Sequence, residues 1–243
     1  MKLHDKVLGS FKIGLKCMRS IYNSLVYLSD HKNTADHSKS RSDLHQYWKE
    51  PWDDLNLPQF YLEGETRSQF LVEIVKRYAR PEARILEIGC NVGRNLNYLF
   101  LAGFRELSGI EINEKAIQIL RQSYPEMAGH ANIYNKSVEE AIRDFEDNEF
   151  DIVFTMAVLE HIHRDSEWIF SEMVRITRNF LITIEDERSV SWKHFPRNYK
   201  EIFESQIVKQ VEVINCSAVE GLDSNFFARV LKKVRNVDKN LMF

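Results

Sequence analysis

The stretch Arg84-Ile-Leu-Glu-Ile-Gly-Cys-Asn-Val-Gly-Arg-Asn-Leu96 decides how this chain folds. A short apolar run is interrupted once, by Glu87, and passes into a segment with Gly89 and Gly93 before helix-compatible residues follow. Those two glycines let the backbone bend sharply and approach a ligand closely. The carboxyl end of a strand facing a helix N-terminus is where open α/β sheets bind ligands. Glu87, just before the turn, is placed for a cationic or hydroxylated ligand, and Cys90 beside it reads as buried packing.

Downstream, Leu107-Ser-Gly-Ile-Glu111 is a second apolar strand ending in a carboxylate, and Glu111 lies 22 residues after Gly89. An acid at that spacing, at the end of the second strand, can accept hydrogen bonds from both ribose hydroxyls. Together the glycine turn, the acid and the strand–helix context indicate a nucleoside-containing ligand, a class that holds both NAD(P) and S-adenosylmethionine.

The rest of the chain alternates. Apolar runs predict strands at 84–88, 106–111, 131–135, 150–155, 179–184, 207–214 and 225–231, and helical spacing predicts helices at 67–79, 93–102, 114–123, 138–145, 166–177 and 197–203. Strand–helix alternation with short connections implies an α/β, doubly wound, mostly parallel seven-stranded sheet with helices on both faces. No clear helix separates the last two strands, so they are expected to pair antiparallel.

Glu87-Ile-Gly-Cys-Asn-Val-Gly93 resembles the first motif, E-x-G-C-G-x-G, of class I S-adenosylmethionine-dependent methyltransferases, and the dinucleotide pattern G-x-G-x-x-G is absent. Phe150-Asp-Ile-Val-Phe-Thr-Met-Ala-Val-Leu-Glu-His161 is similar to the same family's fourth-strand signature. The resemblance spans roughly residues 67–231. It implies that S-adenosylmethionine is the cofactor, with Glu87, Gly89, Cys90, Asn91 and Gly93 around its methionine part, Glu111 on the ribose and Ile112 beside the adenine. It also implies Ser137 and Val138 at the adenine edge, and Met156 and Ala157 near the sulfonium. Two positions depart from the pattern: Asn91 stands for a glycine, which its tolerance of left-handed angles permits, and Ser137 stands where relatives often carry Asp. Some relatives have E-x-x-E-H after the fourth strand and bind a divalent metal; Ala157-Val-Leu-Glu-His161 lacks the first carboxylate, and no metal is expected.

Candidates to orient the methyl acceptor are His161, His163, Glu185 and His194. Each has a plainer alternative: His161 as a fastener of the loop after strand four, His163 as an exposed side chain, Glu185-Asp-Glu187 as a solvated charge run. Trp192, His194, Phe195 and Tyr199 either wall a pocket or pack in the core.

Composition bounds the partners. With 243 residues and a formal charge of −3, the chain offers no bulk attraction to nucleic acid, and no Asn/Asp-Pro-Pro-Tyr-like motif of base-methylating DNA enzymes follows strand four. A small-molecule or glycan-like acceptor and no nucleic-acid partner are expected. Cys17, Cys90 and Cys216 form no CxxC pair, which fits a reducing cytoplasm. Residues 1–28 carry Lys2, Lys6, Lys12, Lys16 and Arg19 against Asp5, with Leu3, Val7, Phe11, Leu15, Met18, Tyr22 and Leu25 at helical spacing. This N-terminal helical extension suits anionic lipid, a protein partner or a cap on its own domain. Residues 29–43 read as a polar linker, and 44–243 as the catalytic domain, with 44–80 its cap or lid.

Overall fold

The computed structural model describes residues 39–53 and 56–234. The extension at 1–28 lies outside the described residues. Seven strands form one sheet in the order β3-β2-β1-β4-β5-β7-β6. They are β1 (Ile85–Ile88), β2 (Leu107–Ile110), β3 (Asn132–Tyr134), β4 (Phe150–Met156), β5 (Thr177–Asp186), β6 (Val208–Asn215) and β7 (Phe226–Lys233). β1 pairs parallel with β2 and β4, β2 with β3, and β4 with β5, whereas β7 runs antiparallel to both β5 and β6. The order reverses between β2 and β4 around β1, so a crevice opens outside the carboxyl end of β1.

The central strands are apolar on both sides because both faces are covered. From β1, Ile85 joins one core cluster and Leu86 and Ile88 the other. On the first face Ile85, Phe154, Ile182 and Val230 pack with Leu71, Ile74 and Val75 of α2 (Glu65–Tyr78) and Leu96 and Leu99 of α3 (Arg94–Leu101). Leu120 of α4 (Glu114–Ser123) and Met127 of α5 (Pro125–His130) complete that layer. On the second face Leu86, Val153 and Leu181 meet Ala141 of α6 (Val138–Ala141), Phe170 and Met173 of α7 (Ile169–Ile176), and Tyr199 and Phe203 of α8 (Tyr199–Glu204). Glu87 points toward the first layer at the end of β1, where α3 begins.

Several boundaries differ from the sequence reading, two of them in ways that bear on the site. The segment read as linker to residue 43 is already helical from Arg41, in a helix Arg41–Lys49 preceding α2 and named α0 below. Ser40 caps it: its Oγ accepts from Asp43 N (3.2 Å), and Asp43 Oδ2 accepts from Ser40 N (2.8 Å). The helix expected at 166–177 is a 3-10 turn (Arg164–Ser166) followed by α7, and Thr177 already belongs to β5. No helix among the described residues is long and apolar enough to cross a membrane.

Candidate active site

The turn after β1 holds three left-handed residues at alternate positions: Gly89 (φ 74°), Asn91 (φ 46°) and Gly93 (φ 71°). Gly89 N and Cys90 N both donate to Ile110 O at 2.9 Å, which locks the turn to the end of β2. A Cβ at Gly89 would sit 2.5 Å from Val158 Cγ2, so the missing side chain is what lets the loop after β4 close on the turn. A Cβ at Gly93 would meet Leu120 at 2.6 Å. Gly93 therefore serves the packing of α3 on α4 and does not border the cleft.

The cleft runs along the ends of β1, β2 and β4. It is bordered by Glu87, Gly89, Cys90, Asn91, Glu111, Ile112, Ser137, Val138, Met156 and Ala157, so ten of the eleven residues expected at the cofactor come together. Glu111 is the hinge of this arrangement. Its Oε2 accepts from Asn91 N at 2.8 Å and its Oε1 from Asn113 N at 2.7 Å. Burial pushes its carboxyl up to about 6 against those backbone donors. Each oxygen keeps a second lone pair.

Glu87 is 2% exposed, and its Oε1 accepts from Asn95 Nδ2 at 2.8 Å. Its Oε2 is buried without a partner, as is Asn91 Oδ1. Burial raises the Glu87 carboxyl to about 8, with Asn95 and the Arg94 charge opposing. Burial raises the Cys90 thiol well above its ordinary value, so it is packing and no nucleophile.

Ser137 borders the cleft, but its hydroxyl belongs to a capping box: Oγ donates to Glu140 Oε2 (2.8 Å) and accepts from Glu140 N (3.3 Å). With its proton committed there, the hydroxyl has none free to donate to a ligand in this conformation.

Residues that sequence reasoning missed roof the cleft. Leu44, His45 and Trp48 of α0, with Asn56 and Tyr61, line it. His45 Nε2 meets Glu139 Oε1 at 3.0 Å on one wall, and Lys193 Nζ donates to Tyr47 Oη at 3.0 Å on the other, so α0 bridges the two. Arg94 ties the roof to the turn: Nη1 donates to Tyr61 O (2.8 Å) and to Glu63 O, and Nε to Ser68 Oγ (2.8 Å). Ser68 Oγ donates to Asn95 Oδ1 (2.7 Å), so a polar chain connects the roof to Glu87. The capping pair Ser40 and Asp43 was the available sequence signal for α0.

The far end of the cleft is bordered by Met156, Ala157, His161, Ile162 and His163. Ala157 adopts φ 56°, a conformation that costs a residue with a Cβ on the order of 1–2 kcal/mol. His161 Nδ1 donates to Lys193 O at 2.7 Å, which fixes the tautomer with a lone pair on Nε2. His163 Nδ1 accepts from Asp165 N at 3.1 Å, which leaves its proton on Nε2 in the neutral ring. One acceptor and one donor thus stand on the two imidazoles.

Glu185 and His194 do not border the cleft. Glu185 is fully buried, and its Oε2 accepts from Val158 N and Leu159 N, both at 2.9 Å, so it shapes the loop after β4. Nor is its charge run solvated: Asp186 Oδ1 accepts from Arg188 N and Ser189 N at 2.8 Å, and Glu187 pairs with both Arg229 Nε and Nη2 at 2.7 Å. His194 stands behind His161, ring centroids 4.7 Å apart. Phe195 and Tyr199 are core residues, whereas Trp192 packs edge-on against Tyr47 at 5.0 Å.

Solved structures share this fold. Magnesium protoporphyrin IX methyltransferase from Synechocystis PCC 6803, solved with S-adenosylhomocysteine, is 12% identical, with a TM-score of 0.63 over 81% of this chain and 100% of that one. A putative methyltransferase from Haloferax volcanii, in complex with the Trm112 activator, is 11% identical with a TM-score of 0.62 over 81% and 100%. The 1,6-didemethyltoxoflavin-N1-methyltransferase of Burkholderia thailandensis is 15% identical with a TM-score of 0.59 over 80% and 87%. At such identities the likeness speaks to the fold alone. The sequence itself, over residues 86–180 from β1 into β5, matches the methyltransferase-domain family. The E-x-G-C-x-x-G turn, the acid after β2 and the 3-2-1-4-5-7-6 sheet thus meet in one cleft, within a segment that matches the methyltransferase-domain family and on a fold shared with S-adenosylmethionine-dependent methyltransferases.

Proposed function

We propose that this enzyme methylates an oxygen or nitrogen of a small-molecule or glycan-like acceptor held at the His161–His163 end of the cleft. The residues present fit the cofactor. The buried, unpartnered Glu87 Oε2 and Asn91 Oδ1 suit the ammonium of its methionine part. The Glu111 carboxylate, held in place by two backbone amides, suits the two ribose hydroxyls. Ile112 and Val138 offer apolar surface to the adenine, and Met156 and Ala157 border the stretch between cofactor and acceptor. S-adenosylmethionine supplies an activated methyl group on a sulfonium.

Because the cofactor carries the reactive group, the chain's own work is positioning and exclusion of water. Glu185 holds the loop that presents His161 and His163. The His161 Nε2 lone pair and the His163 Nε2–H can orient an acceptor hydroxyl or amine. Trp48 packs tilted against His161, ring centroids 4.5 Å apart, and walls that end with an aromatic surface. The residues from α0 through Tyr61 act as a lid over both.

The observation that carries this reading is the unpartnered Glu87 carboxylate oxygen in a cleft whose other end presents two oriented imidazoles. The test is S-adenosylhomocysteine formation against panels of phenols, sugars and amines. Acceptor-dependent turnover with one class supports the proposal. Cofactor binding with no turnover in any class counts against it and favours a binding protein. For residues 1–28, docking to anionic lipid or to a protein partner is proposed from their charge and spacing alone. Sedimentation with anionic liposomes, with and without the segment, separates the two.

A further inference from the structure

An aromatic surface runs from the acceptor end of the cleft out to its rim. Trp48, which meets His161, packs edge-on against Tyr47 at 5.0 Å. Tyr47 in turn meets Trp52 edge-on at 4.7 Å and Trp192 at 5.0 Å. Trp52 and Trp192 lie nearly parallel, 9° apart with ring centroids at 5.9 Å, and Trp52 is 64% exposed. We propose that the Trp52–Trp192 ledge is a saccharide subsite, holding a sugar ring adjacent to the one methylated. The acceptor is then a glycan of two or more rings. This deepens, and rests on, the reading of the His161–His163 end as the acceptor site.

The ledge is held rigid before any ligand arrives. Tyr47 is fully buried beneath it, and its hydroxyl donates to Asp53 Oδ2 (2.5 Å) while accepting from Lys193 Nζ (3.0 Å). That network joins the segment carrying Trp52 to the loop carrying Trp192. Ligand binding to such rings orders little side-chain motion. A single exposed apolar side chain is ordinary, but two parallel indoles continuous with a cleft form a surface that a ligand can cover.

The chemistry of the surface selects the ligand. Indole faces carry negative quadrupole density. A pyranose ring presents a face of slightly positive C–H groups and an edge of hydroxyls, so it can lie on the indole while its other face stays in water. An aryl ring gains most from enclosure on both faces, which an open ledge does not provide. Asp53, next to Trp52, keeps 31% of its side chain exposed, and a carboxylate at the edge of the ledge accepts hydroxyl protons. Trp48 adds a second observation. It borders the cleft, and its Nε1 is buried with no partner, a donor that an oxygen of the ligand would satisfy. Three aromatic contacts separate His161 from Trp52, so one sugar ring cannot touch both.

The test is binding by the full chain, saturated with S-adenosylhomocysteine, to a printed array of neutral, amino and acidic oligosaccharides. Titration in solution then follows, against each bound oligosaccharide and its constituent monosaccharides. The expected result is retention of a subset of oligosaccharides, with saturation-transfer NMR placing a non-terminal ring against aromatic protons. Trp52→Ala, shown to be folded by thermal melting, is expected to weaken oligosaccharide binding at least about tenfold and leave monosaccharide binding unchanged. Trp52→Phe is expected to retain most of the affinity. No retention by the folded wild type overturns the proposal, as does equal oligosaccharide affinity in Trp52→Ala. S-adenosylhomocysteine formation separates this proposal from the reading beneath it. Trp52-dependent binding without methyl transfer upholds the saccharide site and sinks the acceptor reading. Transfer to a phenol or amine with no glycan retained does the reverse.

Discussion

Ligand binding at neutral pH should expel a proton from Glu87. Its carboxyl is buried, its Oε2 has no partner, and burial raises it to about 8. At pH 7 a group of that pKa is ~90% protonated. A bound ammonium at about 4 Å contributes on the order of 4 kcal/mol at an effective dielectric of 20. That corresponds to about 3 pKa units, enough to bring Glu87 near 5 and ionise it. S-adenosylhomocysteine keeps the ammonium, so either ligand should release ~0.9 proton per site at pH 7. Calorimetry in phosphate and in Tris, whose ionisation enthalpies differ widely, reads that number from the difference in observed heat. Glu87→Gln should bring the difference close to zero. Linkage supplies a second readout. A carboxyl whose folded pKa lies above its unfolded value of 4.5 contributes stability that is full below pH 4.5 and is lost as pH rises through 8. The unliganded Glu87→Gln protein should therefore melt progressively above wild type between pH 5 and 9, by an amount on the order of 5 kcal/mol at the alkaline end. Identical binding heats in the two buffers at pH 7, or a pH-independent melting difference, would refute the reasoning.

Three further outcomes follow from the turn, the strained loop and the roof. Gly89→Ala should destabilise by about 1–3 kcal/mol and weaken cofactor binding, because its Cβ meets Val158 Cγ2 at 2.5 Å; Val158→Ala in the same chain should recover part of the loss in a thermal-melt double-mutant cycle. Ala157→Gly should melt no lower than wild type, since relief of the φ 56° conformation offsets the entropy of glycine, whereas Ala157→Val should lose stability. Arg94→Met should release Tyr61 O and Glu63 O and so quicken proteolytic cleavage within residues 50–64 with the sheet core still resistant; an unchanged cleavage pattern would count against Arg94 as the tether.

The parts legible from sequence are those where one local signal sufficed. The β1 turn announces itself because two glycines flank a single polar interruption, and Asn91 indeed takes a left-handed angle. Alternation of apolar runs yields the sheet because parallel strands covered on both faces have a plain hydrophobic signature. The residues expected at the cofactor therefore meet in one cleft, except that Gly93 serves packing and the Ser137 hydroxyl caps a helix. What stayed hidden depends on contacts distant in sequence. Helix α0 lies in a polar run with only Leu44 and Tyr47 fully buried, so it lacks a long apolar stripe. Glu185, read as a ligand candidate or a solvated charge, supports backbone amides 26 and 27 residues away. The meeting of His161 with His194 is created only when β4 and β5 pair.

The most direct measurement is calorimetric binding of S-adenosylhomocysteine to the wild type and to Glu111→Ala. Glu111 joins the β1 turn to the segment after β2, through Asn91 N and Asn113 N, and its remaining lone pairs are the proposed acceptors for the ribose hydroxyls. The expected result is one site of micromolar affinity in the wild type, at least tenfold weaker in the folded variant, a loss of roughly 1.4 kcal/mol or more. No binding by the folded wild type, or equal affinity in the variant, would contradict the assignment of this cleft to the cofactor.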